Sequence, residues 1–238
     1  MSIIKPKDYY ELVDEKHLNG GVRTYPNYDK VKISIPTRII FNGAPGTKKS
    51  NTLYSLIENM DCFDKIYIYA CELDQPLYNG MRELLDDFYE KKTMTKKYDE
   101  TTLIMSNDID DVPELKEFDK DVNNLVIIDD FLELADTKNV RKLFSQSRNH
   151  NITVIFISQS YFEIPKFIRG CTQFLLLKRI VEEDDLTRIL SKYEKKKLDL
   201  VKLAYHKTID KSINNWFMID SRGDPELKYR VNFEPIKI

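Results

Sequence analysis

The strongest constraint on the fold of this chain is a series of short, continuous apolar runs that alternate with longer helical patterns. A strand buried on both faces has such a run, because both rows of its side chains contact apolar neighbours. The alternation predicts βαβ units, in which successive strands lie parallel. We therefore expect an α/β fold with a mostly parallel central sheet flanked by helices. The predicted strands are 38–42, 65–70, 102–106, 125–129, 153–158 and 173–177.

Helical patterns fill much of the sequence between these runs, at 49–59, 76–91, 140–149 and 184–192. Near the carboxyl end, two β-rich stretches, 216–220 and 227–233, flank the turn-forming residues Ser221-Arg222-Gly223-Asp224-Pro225 and predict a β-hairpin. A chain of 238 residues suits one α/β domain with additions. The predicted parts are an N-terminal extension, a core and a hairpin packed on the core, over 1–30, 31–204 and 205–238.

The first predicted strand continues directly into the segment Gly43-Ala44-Pro45-Gly46-Thr47-Lys48-Lys49-Ser50, which opens the first predicted helix. This order is typical of a P-loop, where glycines let backbone N–H groups surround phosphates and the helix amino terminus adds positive charge. We expect this loop and Asn51 to bind ATP, with Lys49 reaching the β- and γ-phosphates and the Ser50 hydroxyl binding Mg²⁺. The alternative is a Gly-rich turn without a ligand.

Lys48 departs from the P-loop pattern, which has glycine directly before the conserved lysine. The position commonly needs a positive φ, which costs a non-glycine residue about 1 kcal/mol or more. Two outcomes stay open for Lys48. It adds a phosphate contact, or it impairs hydrolysis.

Two carboxylates, Asp129 and Asp130, end the predicted strand 125–129. Nucleotides bind at the carboxyl edge of parallel sheets, so both acids are expected near the loop. We expect Asp129 to hold Mg²⁺, directly or through water, and Asp130 to orient or activate the attacking water. The alternative is that either residue only caps a turn or a helix.

Three further side chains are candidates for a catalytic role. Gln159 follows the strand 153–158 and is positioned to sense the γ-phosphate or to orient water. Arg148 and Arg169 are candidates for an arginine finger that reaches the nucleotide of a neighbouring subunit. For Gln159 the alternative is an ordinary turn residue, and for each arginine it is a surface salt bridge.

Net charge, cysteine spacing and the length of apolar runs limit the classes of function that the sequence allows. The net charge of −2 does not by itself predict nucleic-acid binding, which would need a local basic patch. The cysteines Cys62, Cys71 and Cys171 show no CxxC spacing, which favours reduced thiols, and no His/Cys metal cluster is present. We expect no membrane-spanning segment, since no apolar run approaches the roughly 20 residues that one needs.

The segments NLVIIDDF and LFSQSRNHNITVIFISQSYFEIPKFIR resemble the genome-packaging ATPases of large and medium-sized double-stranded DNA viruses. These include poxvirus-type, virophage and Polinton-like packaging ATPases, in the FtsK–HerA branch of P-loop motors. The resemblance runs from about residue 38 to 179, and 148–169 is its most specific part. It implies a RecA-like P-loop NTPase core, ATP and Mg²⁺, a homo-oligomeric ring of five or six subunits, and double-stranded DNA pumped into a preformed capsid.

The resemblance also implies roles for residues selected above. By this resemblance, Lys49 and Ser50 are the Walker A pair. Asp129 and Asp130 are the Walker B pair, and Gln159 is the strand-end sensor. The finger assignment between Arg148 and Arg169 stays open. The implied partners are sequence-independent duplex DNA and capsid portal or vertex proteins, and the implied location is the viral assembly site in the host cytoplasm or the virion.

Two basic runs, 91–97 and 192–197, are candidates for DNA contact, although interleaved acids favour a solvated face for each. Two other functions stay open. One is a non-catalytic or weakly active nucleotide-binding assembly protein, which Lys48 motivates. The other is a plasmid-transfer or helicase-type motor of the same superfamily.

Overall fold

The computed structural model describes residues 25–91, 102–131 and 137–238, and for 88–91 it describes the backbone alone. Within these residues, nine strands form one sheet. In chain order they are β1 (Arg38–Asn42), β2 (Lys65–Ala70), β3 (Leu103–Ser106), β4 (Asn124–Asp129), β5 (Ile152–Ser158), β6 (Phe174–Leu177), β7 (Phe217–Asp220), β8 (Tyr229–Val231) and β9 (Glu234–Pro235). Their spatial order is β3-β2-β4-β5-β1-β6-β7-β8-β9.

The sheet is parallel from β3 to β6 in this spatial order and antiparallel beyond β6. All six predicted parallel strands are present, and none of their ends differs by more than one residue. The predicted β-hairpin is also present as β7 and β8, and β7 pairs with β6 so that the hairpin extends the central sheet. The expected α/β architecture is therefore confirmed.

Helices cover both faces of the sheet. They are α1 (Tyr28–Val31), α2 (Lys49–Met60), α3 (Pro76–Asn79), α4 (Met81–Lys91), α5 (Lys138–Gln146), α6 (Lys166–Cys171), α7 (Glu183–Leu190) and α8 (Leu198–Lys211). Short 3₁₀ helices lie at Ile109–Asp111, Leu115–Glu117, Ser147–His150 and Pro225–Leu227.

The core has two parts because successive strand residues point to opposite faces. Ile127 and Ile155 pack into one cluster with side chains of α2 and α4. Ile128 and Phe156 pack into the other cluster with side chains of α5, α6, α7 and α8. The central strands are buried on both sides, which accounts for the continuous apolar runs in their sequences.

The single helix predicted over 76–91 is wrong, because the chain forms α3 and α4 with Gly80 between them. Glycine weakens a helix by about 1 kcal/mol relative to alanine, so it is a favourable place for a break. A hydrogen bond from Tyr78 in α3 to Asp129 at the end of β4 holds the first piece in place. The break therefore leaves α3 as a separate helix that contacts the carboxyl edge of the sheet through Tyr78.

Two other predicted helices differ at their ends. The helix predicted over 140–149 starts earlier, at Lys138, because the Thr137 side chain accepts a hydrogen bond from the Val140 N–H as an N-cap. It ends at Gln146 and continues as the 3₁₀ helix Ser147–His150. The helix predicted over 184–192 is α7, which ends at Leu190.

The 14-residue helix α8 was not predicted. Leu200 and Leu203 lie on its solvent side, with 53% and 51% of their surface exposed. Because these exposed residues are apolar, the sequence does not show the helical periodicity of apolar residues to which the buried Val201 and Tyr205 belong. The helix runs through position 204, and the proposed three-part division of the chain stays a prediction. In the described ranges, no helix has the length and apolar character to cross a membrane.

Candidate functional site

The predicted phosphate loop joins β1 to α2 at the carboxyl edge of the sheet. A Cβ atom at Gly43 would collide with the Cβ of Lys178, so this position requires glycine. Gly46 has a φ of 72°, a left-handed conformation that glycine adopts without a steric penalty. Each glycine therefore has a physical reason in the loop.

Lys48 has the left-handed conformation expected from the P-loop pattern, with φ 61° and ψ 41°, and it is the N-cap residue of α2. The loop keeps its shape without the usual glycine. The cost is a strain of roughly 1 kcal/mol, the ordinary penalty for a side chain in this region.

The ammonium of Lys49 lies over the loop. Its Nζ donates to the carbonyl oxygens of Gly43 and Ala44, at 2.8 and 3.3 Å. Burial lowers the pKa of Lys49, and the carboxylates of Asp130 and Asp129 oppose this shift. Lys49 and the two acids are therefore within electrostatic reach of one another.

The acids reach the same edge because β4 pairs with β5 in parallel, with Asp129 opposite Ile157. Asp130 turns out of the strand with a φ of 60°, and its N–H donates to the carbonyl of Ile157 at 3.1 Å. Its Oδ2 accepts a hydrogen bond of 2.5 Å from Nε2 of Gln159. Two residues selected from different strands are thus in direct contact.

Tyr78 is a site residue that the sequence did not reveal. Its hydroxyl donates to Oδ2 of Asp129 at 2.6 Å. Burial and then the Asp129 charge raise the pKa of Tyr78, and a hydrogen bond with the Ser50 side chain opposes the rise. Burial raises the pKa of Asp129 to about 6, and the hydrogen bond from Tyr78 partly offsets this. Tyr78 therefore links the two predicted magnesium ligands.

The loop, the two acids and Gln159 line a cavity of about 360 Å³, within the size range of ligand sites. The lining residues are Pro45, Gly46, Thr47, Lys48, Lys49, Ser50, Gln75, Asp129, Asp130 and Gln159. Among the predicted binding residues, Gly43 and Ala44 instead hold the Lys49 ammonium, and Asn51 is exposed on α2.

The donor set fits a nucleotide phosphate chain with magnesium. The loop provides cations and a helix amino terminus for phosphate oxygens, and the Ser50 hydroxyl and the Asp129 carboxylate are oxygen ligands of the kind Mg²⁺ prefers. The buried Oδ1 of Asp130 has no hydrogen-bond partner in the part of the chain that is described. A buried acceptor of this kind is costly unless a further donor reaches it.

Among the described residues, the lining of the cavity includes neither arginine candidate. Arg148 is exposed in the 3₁₀ helix that precedes β5, at the opposite edge of the sheet. Arg169 lies on α6 over the rings of Tyr161 and Phe162. The finger assignment stays a prediction.

The sequence matches no protein-family model and no curated protein. The fold does match solved structures. The genome packaging NTPase B204 from Sulfolobus turreted icosahedral virus 2, in complex with sulfate, is 12% identical with a TM-score of 0.53, covering 84% of this chain and 97% of that chain. Its complex with AMPPCP is 12% identical with a TM-score of 0.52, covering 85% and 99%.

A third match is B204, the DNA-packaging ATPase from Sulfolobus Turreted Icosahedral Virus, which is 12% identical with a TM-score of 0.51. The alignment covers 85% of this chain and 98% of that chain. At this identity the likeness establishes the fold, and it agrees with the family resemblance expected from the sequence. The chain has the α/β fold of a P-loop NTPase, shared over most of its length with viral genome-packaging NTPases.

Proposed function

We propose that this chain is an ATP-driven motor that moves double-stranded DNA into a preformed viral capsid. The observation that carries the proposal is the convergence of the Lys49 ammonium, the two acids and Gln159 around one cavity beside the amino terminus of α2. The fold that the chain shares with the packaging NTPase B204 supports the DNA-packaging part.

The loop residues would bind the phosphates of ATP, with Lys49 on the β- and γ-phosphates. Ser50 and Asp129 would hold Mg²⁺, which neutralises charge on the phosphate oxygens. The Tyr78 hydroxyl fixes one oxygen of Asp129 and so orients this carboxylate for its role.

Asp130 is the residue that would orient the attacking water and accept its proton. Its Oδ2 accepts a hydrogen bond from the Gln159 amide, and its buried Oδ1 has no partner in the described residues. Gln159 connects this acid to the end of β5, and a γ-phosphate would compete with Asp130 for its amide. A change of the Gln159 hydrogen bond from Asp130 to the γ-phosphate would thus transmit the presence of ATP to the end of β5.

The motor also needs a neighbouring subunit. Arg148 or Arg169 of one subunit would complete the site of the next in a head-to-tail ring of five or six copies. Duplex DNA would be held by its phosphates without sequence reading, and portal or vertex proteins would anchor the ring at the assembly site in the host cytoplasm or in the virion.

The proposal is tested by phosphate release from the purified chain, with and without duplex DNA. We expect hydrolysis that duplex DNA stimulates and that Lys49→Ala abolishes. Lys207→Ala, which removes an exposed lysine of α8, is the matched control and should leave the rate unchanged. An activity indifferent to DNA would contradict packaging, and stronger stimulation by single strands would favour a helicase-type motor.

The strain at Lys48 favours a second candidate, a nucleotide-binding assembly protein without turnover. Lys48→Gly separates the two functions, with Lys32→Gly as the control because Lys32 also has a positive φ, 53°, but lies after α1. We expect the unmodified chain to hydrolyse ATP. Nucleotide-dependent oligomers without phosphate release, and turnover that only Lys48→Gly restores, would replace the motor with the assembly protein.

A further inference from the structure

Three cations converge on two aromatic rings just beyond Gln159. The rings are those of Tyr161 and Phe162, and the cations belong to Arg169 on α6, Arg188 on α7 and Lys192 after α7. Arg188 Cζ lies 4.0 Å from the centroid of the Phe162 ring, Lys192 Nζ lies 4.7 Å away and Arg169 Cζ 5.7 Å. These five residues are called the basic–aromatic cluster below.

The rings form a fixed platform for the cations. Tyr161 is buried, and its hydroxyl hydrogen-bonds the hydroxyl of Tyr193 at 3.1 Å. Lys192 Nζ and Arg169 Cζ also lie 4.6 and 5.4 Å from the centroid of the Tyr161 ring. A cation held against a ring face keeps other N–H donors free to bind an anion.

Among the described residues, two of the three cations of the cluster have no carboxylate within ion-pair distance. The ion pairs of the described residues include Arg188 with Asp185 at 3.1 Å, but neither Arg169 nor Lys192. Arg169 Nε is buried and has no hydrogen-bond partner there. Burial lowers the pKa of Lys192, and the charges of Arg169 and Arg188 lower it further. A bound anion would relieve this repulsion.

The anion that fits is an extended one. Three exposed lysines, Lys195, Lys196 and Lys197, follow Lys192 along the chain as a basic strip of sequence, with Glu194 between them paired to Lys228 at 3.2 Å. A single triphosphate would occupy only part of such a strip, whereas a nucleic-acid backbone presents phosphates along its length. The sequence favoured a solvated face for 192–197, and the lysines of this run are exposed, while Lys192 also lies over the two aromatic rings.

We propose that the basic–aromatic cluster binds the phosphate backbone of duplex DNA and lies next to the nucleotide sensor. The inference rests on the proposed motor function and names the surface that grips its substrate. Tyr161 stands two positions after Gln159, which contacts Asp130. DNA seated on the cluster would therefore act on the hydrolysis site through the short segment 159–162.

The test uses anisotropy of a fluorescein-labelled mixed-sequence duplex, titrated with the full chain over a range of salt concentrations. Arg188→Gln with Lys192→Gln removes two cations while keeping side-chain length. We expect affinity to fall roughly tenfold or more at about 0.1 M salt, and the magnitude of the salt slope to fall by about 2. Lys207→Gln with Lys211→Gln, on the exposed side of α8, is the matched control and should change neither quantity.

Binding of a fluorescent ATP analogue separates this inference from the proposed function. We expect the Arg188/Lys192 variant to bind nucleotide and unfold thermally like the unmodified chain. Equal losses in the two double variants, or a duplex affinity that the Arg188/Lys192 variant leaves intact, would overturn the DNA surface. Charge reversal of the same pair to glutamate must enlarge the loss, and a smaller loss would also overturn it. Failure of the unmodified chain to bind nucleotide would instead reject the proposed function.

Discussion

At the level of single residues, the candidate site depends on contacts that the loop motif does not contain. Lys49, Asp129, Asp130 and Gln159 could be selected from sequence, because each lies at or beyond the carboxyl end of a recognisable strand. Tyr78 could not, since its role comes only from the break at Gly80 and from the path of α3 past the end of β4. A tyrosine in a helical pattern carries no signal of this kind.

Tyr78→Phe tests this contact. Removing the hydroxyl leaves Asp129 without its 2.6 Å donor, so the carboxylate is less well oriented for Mg²⁺. Loss of such a supporting hydrogen bond typically costs about 10–100-fold in metal affinity or activity. We expect a higher Mg²⁺ concentration for half-maximal phosphate release. The control is Tyr25→Phe, which removes a buried hydroxyl that donates to Ile33 at 2.9 Å, and an equal shift there would contradict the role of Tyr78.

At the level of elements, the strands were predictable and several helices were not. In a strand buried on both faces, the apolar run has about the length of the strand. For this reason the predicted bounds of β1 and β2 agree with the observed bounds at both ends. Helix ends depend on capping residues such as Thr137, and α8 is hidden by its exposed leucines. The loop that follows α8 lies beside the end of β6, where two of its carbonyls accept hydrogen bonds from Lys178.

Lys178 is a buried cation at this junction. Its Nζ donates to the carbonyls of Ile213 and Asn214, at 3.1 and 2.9 Å. Burial and then the charge of Lys48 lower the pKa of Lys178 to about 8, whereas an unfolded lysine has a pKa of about 10.4. Between these two values the unfolded chain binds more protons, so this group adds stability as pH rises from about 8 to 10.

The prediction is measured as a difference between the unmodified chain and Lys178→Met in urea unfolding. The unmodified chain should gain free energy of unfolding relative to the variant as pH rises from about 8 to 10, and the difference should be constant below about pH 7. Lys207→Met, at an exposed position of α8, should show no such trend. A difference independent of pH across this range would show that Lys178 titrates normally.

At the level of the whole molecule, one buried arginine joins distant parts of the described chain. Arg230 in β8 is fully buried, and it pairs with Asp220 of β7 at 3.2 Å. Its Nη1 also donates to the carbonyls of Val31 and Lys32, at 3.2 and 2.8 Å. The carboxyl-terminal strands are thereby fastened to the segment that leads into β1.

Removing this arginine should weaken the whole fold. Arg230→Ala leaves the Asp220 carboxylate buried without its cation, and breaking a buried pair in this way costs about 3–5 kcal/mol. We expect that loss in the free energy of urea unfolding at neutral pH. Arg222→Ala, at an exposed arginine that donates to the carbonyl of Gly170 at 3.1 Å, should change stability by less than about 0.5 kcal/mol. Similar losses for both variants would contradict the role assigned to the buried pair.

The sequence by itself determined the parallel sheet, its strand bounds to within one residue and the loop at its edge, because the apolar run of each strand and the glycines of the loop are continuous stretches of sequence. The positive φ of Lys48 followed from its place in the loop pattern. Only the tertiary structure decided which side chains meet across the edge. The Tyr78–Asp129 bond, the Asp130–Gln159 bond and the cations over Phe162 join residues from separate elements, and their distances depend on how the whole sheet and its helices pack.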